Sequence, residues 1–413
     1  MITVAEASER ILARIEALPP EPVATGNAAG RVLAERVVAP IDSPPWENSS
    51  MDGYAVRPAD LAGLPASLRV VGEVAAGSFP SRALAAGEAM KVMTGAPVPD
   101  GSDSVIRRED TDDGTDTVLI RDLRDTRKNI RRKGEDFRAG DILFEKGAVI
   151  SAAHLGAIAS AGIKSLSVHG RPVVALISSG DELIELDDFD SESVGKKIVS
   201  SNSLTLASLV RDAGGIPLDL GIAADTPSSL RGKLESAHDA HLIITSAGIS
   251  VGDHDHVRDV FAELGGQLDF WKVRMRPGAP LAFGMLNGKP WIGLSGNPVS
   301  AIVTFELFVR PAIRKMLGFT ALFRQTFPVT IGERITIAAP LMHFLRVIVT
   351  QTSEVNRVAR LAGSQSSAVL TAMARANALL ILPGDRLVIE EGETHRAMPI
   401  GNSGELSDKL VLT

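Results

Sequence analysis

The residues best suited to chemistry lie in three loops rich in small side chains. Ser178-Ser179-Gly180-Asp181-Glu182-Leu183 is the first, and the second runs from Thr245 through Ser246, Ala247, Gly248, Ser250, Gly252 and Asp253 to Asp255. The third is Leu294-Ser295-Gly296-Asn297-Pro298, which opens a long apolar helix-like run. There, Asn297 is a good N-cap and Pro298 suits the first helical position, where its missing N–H costs nothing. Such a turn is expected to present backbone N–H groups at the positive end of a helix, a seat for an anion. Hydroxyls and backbone N–H groups suit phosphate; carboxylates suit Mg²⁺, which bridges to phosphates. One loop of this kind is most simply a capped turn. Three at one end of a sheet point to a ligand site. Lys272, Arg274 and Arg276, spaced two apart, would put three cations on one face of an extended strand. Arg131, Arg132 and Lys133 form a second basic run, of a kind usually found on solvated surface.

The elements that must position these loops follow from periodicity. Val173–Ile177, Ile216–Ile222 and His241–Thr245 read as strands, alternating with helices over Ser203–Arg211, Pro227–Ala240 and Val257–Leu264. Phe270–Val273, Leu281–Met285 and Trp291–Leu294 follow as strands before a helix running to about Leu317. This alternation predicts a three-layer α/β domain with a largely parallel sheet, whose ligands sit outside the carboxyl ends of the strands. Upstream, the chain to about Val38 has helical spacing at Ala5, Ile11, Ile15 and Leu18. Gly and Pro then punctuate short β-like runs at Leu68–Val74, Ala89–Met93, Ser104–Arg108 and Thr117–Ile120, and Ser151–Ala161 reads as a helix closed by Gly162. Beyond Gly318, the β-type runs Phe327–Ile337 and Val347–Thr352 predict a small C-terminal β domain.

Composition narrows the function classes. A chain of 413 residues exceeds one ordinary core, so several domains are expected. With 45% hydrophobic and 23% charged residues, it has the balance of a soluble globular protein. No apolar run reaches the ~18 residues of a membrane span, and no signal-peptide pattern opens the chain, so the cytoplasm is the expected location. A net charge of −7 argues against broad nucleic-acid binding. The absence of cysteine excludes disulfides, thiolate metal sites and cysteine nucleophiles. The eight histidines have no metal-ligand spacing, and no P-loop, dinucleotide fingerprint or HExxH helix occurs.

Seven stretches in order carry a family resemblance: Asn48–Val56, Met93–Pro99, Gly134–Asp136, Ser179–Leu183, Gly248–Asp255, Met275–Gly278 and Gly293–Ala301. The chain resembles the molybdopterin molybdenumtransferases, the MoeA family, which includes the C-terminal domain of gephyrin. The resemblance spans about residues 5 to 400. It implies a multidomain α/β protein in four parts: a discontinuous N-terminal helical domain (1–50 and 136–170), an inserted β-rich domain (51–135), a three-layer α/β molybdopterin-binding domain (171–320) and a C-terminal β-barrel-like domain (321–413). It also implies a homodimer whose cleft is shared between subunits. The family reaction joins molybdate to adenylyl-molybdopterin and releases AMP, assisted by Mg²⁺. Expected partners are a molybdopterin adenylyltransferase and molybdoenzyme apoproteins or their chaperones.

Carried over residue by residue, the resemblance implies catalytic roles for Asp52, Thr94, Asp136 and Glu182. Glu182, Asp225 and Asp255 would be the metal-holding carboxylates. Arg131, Ser179, Gly180, Asp225, Ser250, Gly252, Lys272, Arg276, Ser295, Gly296, Asn297, Pro298 and Ser367 would bind substrate. Asp181 and Asp253 have the alternative of capping helices. Two departures stand out: Ala279 where the family usually has lysine, and Ala247 where it usually has glycine. The competing function is a non-catalytic paralogue that binds molybdopterin or scaffolds a partner.

Overall fold

The computed structural model describes residues 1–248, 257–337, 340–351 and 357–401. Those residues form two compact units, Met1–Pro20 with His169–Thr413, and Glu21–Val168. No helix among the described residues is long and apolar enough to cross a membrane.

A six-stranded sheet organises the first unit. Its order is Ile216–Ala223, Val173–Ser179, Leu242–Ser246, Lys289–Leu294, Leu281–Leu286 and Gln267–Trp271. The first four run parallel; Leu281–Leu286 runs antiparallel to them across the tight Asn287-Gly288 turn, and Gln267–Trp271, antiparallel to Leu281–Leu286, runs with the first four again. The strands are apolar on both sides because both faces are covered. Val174, Leu176, Ile244 and Ile292 face one core, packed under Ser201–Asp212 and the long helix. Ala175, Ile177, Ile243 and Trp291 face the other, beneath Pro227–Glu235 and Val257–Glu263. This is the three-layer arrangement read from the sequence.

The long helix runs from Pro298 to Met316 but is not uniform. Phe305–Val309 adopts a π-helical turn just before Pro311. Proline has no N–H and its ring clashes with the carbonyl four residues back, so a local widening lets the helix pass it.

The C-terminal region closes on itself. Met342–Gln351 pairs with Arg357–Leu361, which pairs with Phe327–Ile331, then Thr394–Pro399, then Ala378–Leu382, which returns to Met342–Gln351. Val329, Val347, Ala359, Leu380 and Ala397 fill this five-stranded barrel.

The α-helix in the first 38 residues is confined to Val4–Ala13, where a Thr3–Glu6 capping box starts it, and only a 3-10 turn at Thr25–Asn27 follows. The predicted continuation fails because Pro19, Pro20 and Pro22 follow, and Pro20–Ala24 is a strand. The helix buries Ala7 and Ile11 in the same core as Val309 and Ile313. Its residues therefore belong to the compact unit that carries the α/β sheet.

In Glu21–Val168 the main sheet orders Ser104–Arg107, Gly53–Val56, Glu88–Val92, Ala66–Val74 and Thr117–Ile120. Periodicity had indicated four of these; the short Gly53–Val56 strand was missed. All four of its residues are buried, so it lacks the alternation that marks a half-exposed strand. Gly53 is required there, since a Cβ would lie 2.0 Å from the Ile106 carbonyl oxygen.

Candidate active site

Most of the residues singled out by sequence fall in two regions, one in each unit. In Glu21–Val168, Asp52 precedes the strand Gly53–Val56, and Thr94 follows its antiparallel neighbour Glu88–Val92, with Gly53 opposite Val92. Asp52 Oδ1 accepts from the Thr94 backbone N–H at 2.7 Å and from its hydroxyl at 2.8 Å. These two donors hold the Asp52 carboxyl below the usual carboxylate range. The turn Thr94-Gly95-Ala96 is fixed by Ser49, whose N–H donates to Ala96 and whose carbonyl accepts from Gly95. Arg131 lies opposite Asn48 on a short antiparallel pair. Asp136 lies further along, its backbone N–H on the Ser43 carbonyl at 2.9 Å. Asp52, Thr94, Arg131 and Asp136 are all exposed. Only Asp52 and Thr94 are joined directly.

The second cluster occupies the carboxyl edge of the parallel strands. Ser179, Asp225, Ser246 and Ser295 each lie at or just past the end of one of the four, so the topology brings the loops together as expected. A cavity of about 640 Å³ opens there, with Ser179, Glu182, Asn202, Ala247, Ser295 and Pro298 among its walls. Gly180 and Glu182 interlock: a Cβ on Gly180 would meet Glu182 Oε2 at 2.6 Å. Asn202 donates to Ser246 Oγ at 2.7 Å and to the Gly296 carbonyl at 2.9 Å, tying two loops.

Asp225 is placed differently from the expectation of a cavity-lining carboxylate. Its Oδ1 accepts from the Ser179 hydroxyl at 3.0 Å, its Oδ2 from the Asp181 N–H at 3.4 Å, and its own N–H donates to Asp181 Oδ1 at 3.0 Å. It is exposed and bonded to Ser179, and it is not among the residues that line the cavity. Asp181 is thereby spent on a loop-to-loop bond instead of capping a helix. Ser250, Gly252 and Asp255 lie outside the described residues.

The anion seat at Asn297–Pro298 is partly taken by the protein itself. Asn297 is the N-cap by position, but its side chain makes no capping bond. The Asn297 N–H goes to Ser295 Oγ at 3.3 Å, and the Val299 N–H goes to the Ser367 carbonyl at 3.1 Å. Ser367 therefore touches the turn through its backbone, and Ala368 and Leu370 beyond it line the cavity.

The expected cationic strand face is also corrected. The strand ends at Trp271, and Lys272 takes a left-handed conformation with φ 83°. Arg276 belongs to a separate two-residue strand beside His343 of the C-terminal barrel. Lys272 and Arg276 thus leave from different elements, and neither lines the cavity.

Arg346 was not singled out from sequence. It is fully buried on the barrel strand Met342–Gln351. Its Nη2 donates to the carbonyls of Ser364 and Ser366, both at 3.1 Å. Nε and Nη1 have no hydrogen-bond partner among the described residues. Burial pushes its guanidinium down to about 10, so it stays charged at neutral pH with no carboxylate paired to it among the described residues. The available signal was a lone cation in the apolar run Phe344-Leu345-Arg346-Val347-Ile348.

Comparison with known proteins agrees with this architecture. Residues 2–162 match the MoeA N-terminal region (domain I and II), 175–315 a probable molybdopterin binding domain, and 328–400 the MoeA C-terminal region (domain IV). A molybdopterin molybdenumtransferase of Staphylococcus aureus is 34% identical over 95% of this chain and 94% of its own length. Molybdopterin molybdenumtransferase 2 of Mycobacterium tuberculosis is 36% identical over 95% and 98%. Two solved structures of a molybdopterin biosynthesis MoeA protein from Pyrococcus horikoshii align with TM-scores of 0.81 and 0.79 at 27% identity, covering 97% of this chain and 99% and 100% of those chains. The chain belongs to the molybdopterin molybdenumtransferase (MoeA) family.

Proposed function

We propose that this protein is a molybdopterin molybdenumtransferase, which takes adenylyl-molybdopterin and molybdate and releases AMP in molybdenum cofactor biosynthesis. The observation that carries this reading is the convergence of three parallel strand ends, at Ser179, Ser246 and Ser295, on the 640 Å³ cavity. Its hydroxyls, amide groups and single facing carboxylate suit a phosphorylated, ring-bearing substrate. Ser179, Gly180, Ser295, Gly296, Asn297 and Pro298 bind and orient that substrate. Lys272, Arg131 and Arg276 gather anionic groups, and Ser367 shapes the turn through its carbonyl. We add Arg346, fully buried with Nε and Nη1 unpartnered among the described residues: a compact dianion such as molybdate would satisfy them once a local opening admits it.

Magnesium suits this donor set. It usually takes one or two carboxylates together with substrate phosphates rather than an all-protein cage. Glu182 would hold it, with Asp225, bonded to Ser179, and Asp255 completing the assignment. Bound there, it would neutralise pyrophosphate charge as AMP departs. Asp52, kept ionised by Thr94, and Asp136 are assigned to the reacting end of the substrate, contributed by the second subunit of a homodimer. The four-domain division, with 51–135 inserted between 1–50 and 136–170, accompanies this reading.

The test is direct. Purified protein is incubated with adenylyl-molybdopterin, Mg²⁺ and molybdate, and AMP release and molybdenum retention are followed. Molybdate-dependent AMP release that disappears in Asp52→Ala and Glu182→Ala supports the enzyme. Release no greater than in those variants leaves a paralogue that only binds molybdopterin.

A further inference from the structure

A second cavity, of about 790 Å³, lies in the Glu21–Val168 unit and takes no part in the reading above. Its floor and walls are aromatic and proline-rich. Trp46 and Phe79 meet edge to face with ring centroids 4.9 Å apart, yet both stay exposed, at 39% and 63%. Pro45, Pro80, Pro97 and Pro99 surround them. Exposed aromatic pairs of this size are costly to leave in water and mark contact surfaces when they line a concavity.

The charges at the rim decide what it fits. Its two basic residues are already committed: Arg82 pairs with Glu88 at 2.6 Å and Lys133 with Asp42 at 3.3 Å. Its two acidic residues, Glu47 and Asp100, are exposed and have no ion pair among the described residues. The free field at the cavity is therefore negative, which disfavours a nucleotide or phosphate and favours a cation-bearing occupant.

The walls narrow the class further. Four prolines supply no backbone N–H, so they cannot extend a β ladder onto an added strand. A polyproline II segment needs no such ladder, because its backbone has no internal hydrogen bonds and it docks by laying prolines against aromatic rings. We propose that this cavity is a docking site for a proline-rich, arginine- or lysine-bearing segment of a partner protein. Prolines pack against the exposed faces of Trp46 and Phe79, and the basic residues reach Glu47 and Asp100. The proposal does not depend on the transferase reading.

Fluorescence anisotropy of the full-length protein with a labelled hexaproline peptide flanked by arginines tests it. Saturable binding is expected at low ionic strength, about tenfold weaker for Trp46→Ala and for the Glu47→Lys/Asp100→Lys double variant. A glutamate-flanked hexaproline should also bind at least about tenfold more weakly. Circular dichroism and thermal melting establish that the variants are folded, and the charge reversal leaves the aromatic wall intact. No saturable binding, equal binding of the two peptides, full binding to folded Trp46→Ala, or displacement of the peptide by AMP each overturns the proposal.

Discussion

A single oxygen of Asp52, Oδ1, takes both donors of one residue, the N–H of Thr94 at 2.7 Å and its hydroxyl at 2.8 Å. Each donor favours the ionised carboxylate, so the Asp52 pKa is lowered despite some desolvation. A depressed carboxyl pKa contributes stability above the unfolded-state value and loses it as pH falls through the folded value. Thr94→Val removes the hydroxyl and keeps the N–H. The Asp52 pKa should then rise, and the acid limb of the pH–activity profile should move to higher pH. Carboxyl carbon shifts titrated by NMR read the change directly; an unchanged pKa would show that the hydroxyl contributes nothing.

Ala247 and Gly296 form a second testable pair. Ala247 sits at φ 77°, a left-handed conformation that costs a non-glycine residue about 1 kcal/mol. A Cβ on Gly296 would meet the Ala247 Cβ at 3.0 Å. Gly296→Ala should therefore lower stability by about 1 kcal/mol and narrow the cavity mouth. Ala247→Gly alone should be nearly neutral, since relief of strain offsets the added freedom of the unfolded chain. Combined, the two should cost less than their sum, because the clashing methyl is gone. Additive melting data would refute the contact.

How far these sites were legible in the sequence depends on what fixes each residue. The strand-end loops were readable because apolar strand runs, glycine stops and caps are local signals, and parallel topology then forces the loops to one edge. Ser367 and Arg346 act through long-range pairing of barrel strands that local spacing does not encode. The Lys272–Arg276 face was misread because alternation assumes one continuous strand, and a left-handed residue at Lys272 ends it. The Ser179 hydroxyl that Asp225 Oδ1 accepts from had no sequence signal, because the pair joins residues 46 apart in the chain. The N-terminal helix was overextended because its apolar spacing persisted past the point where the prolines end it.

Arg346 provides a test of the anion assignment. Its guanidinium is buried, and Nε and Nη1 have no partner among the described residues. Methionine there removes a buried charge, which stabilises, but also the donor to the Ser364 and Ser366 carbonyls, which costs stability. These effects oppose each other, so Arg346→Met should melt within about 5 °C of the wild type without ligand. Added molybdate should raise the melting temperature of the wild type by mass action and leave the variant unmoved. An equal molybdate shift in both proteins would remove Arg346 from the anion site.

The shared-cleft assignment makes a quantitative prediction. Asp52 and Glu182 lie in different compact units, and we assign a working site to Asp52 of one subunit and Glu182 of the other. Asp52→Ala and Glu182→Ala should each be inactive alone. If the two variants are mixed, dissociated and reassembled at random, about half the dimers are mixed, and two-fold symmetry gives each of those one intact site out of two. Activity should recover to about a quarter of the wild-type level. A site built within one chain has no such route, because every chain in the mixture lacks one of the two carboxylates. Activity that stays at the single-variant level, or a wild-type protein that sediments only as a monomer, would reject the shared cleft while leaving the Asp52–Thr94 and Arg346 predictions standing.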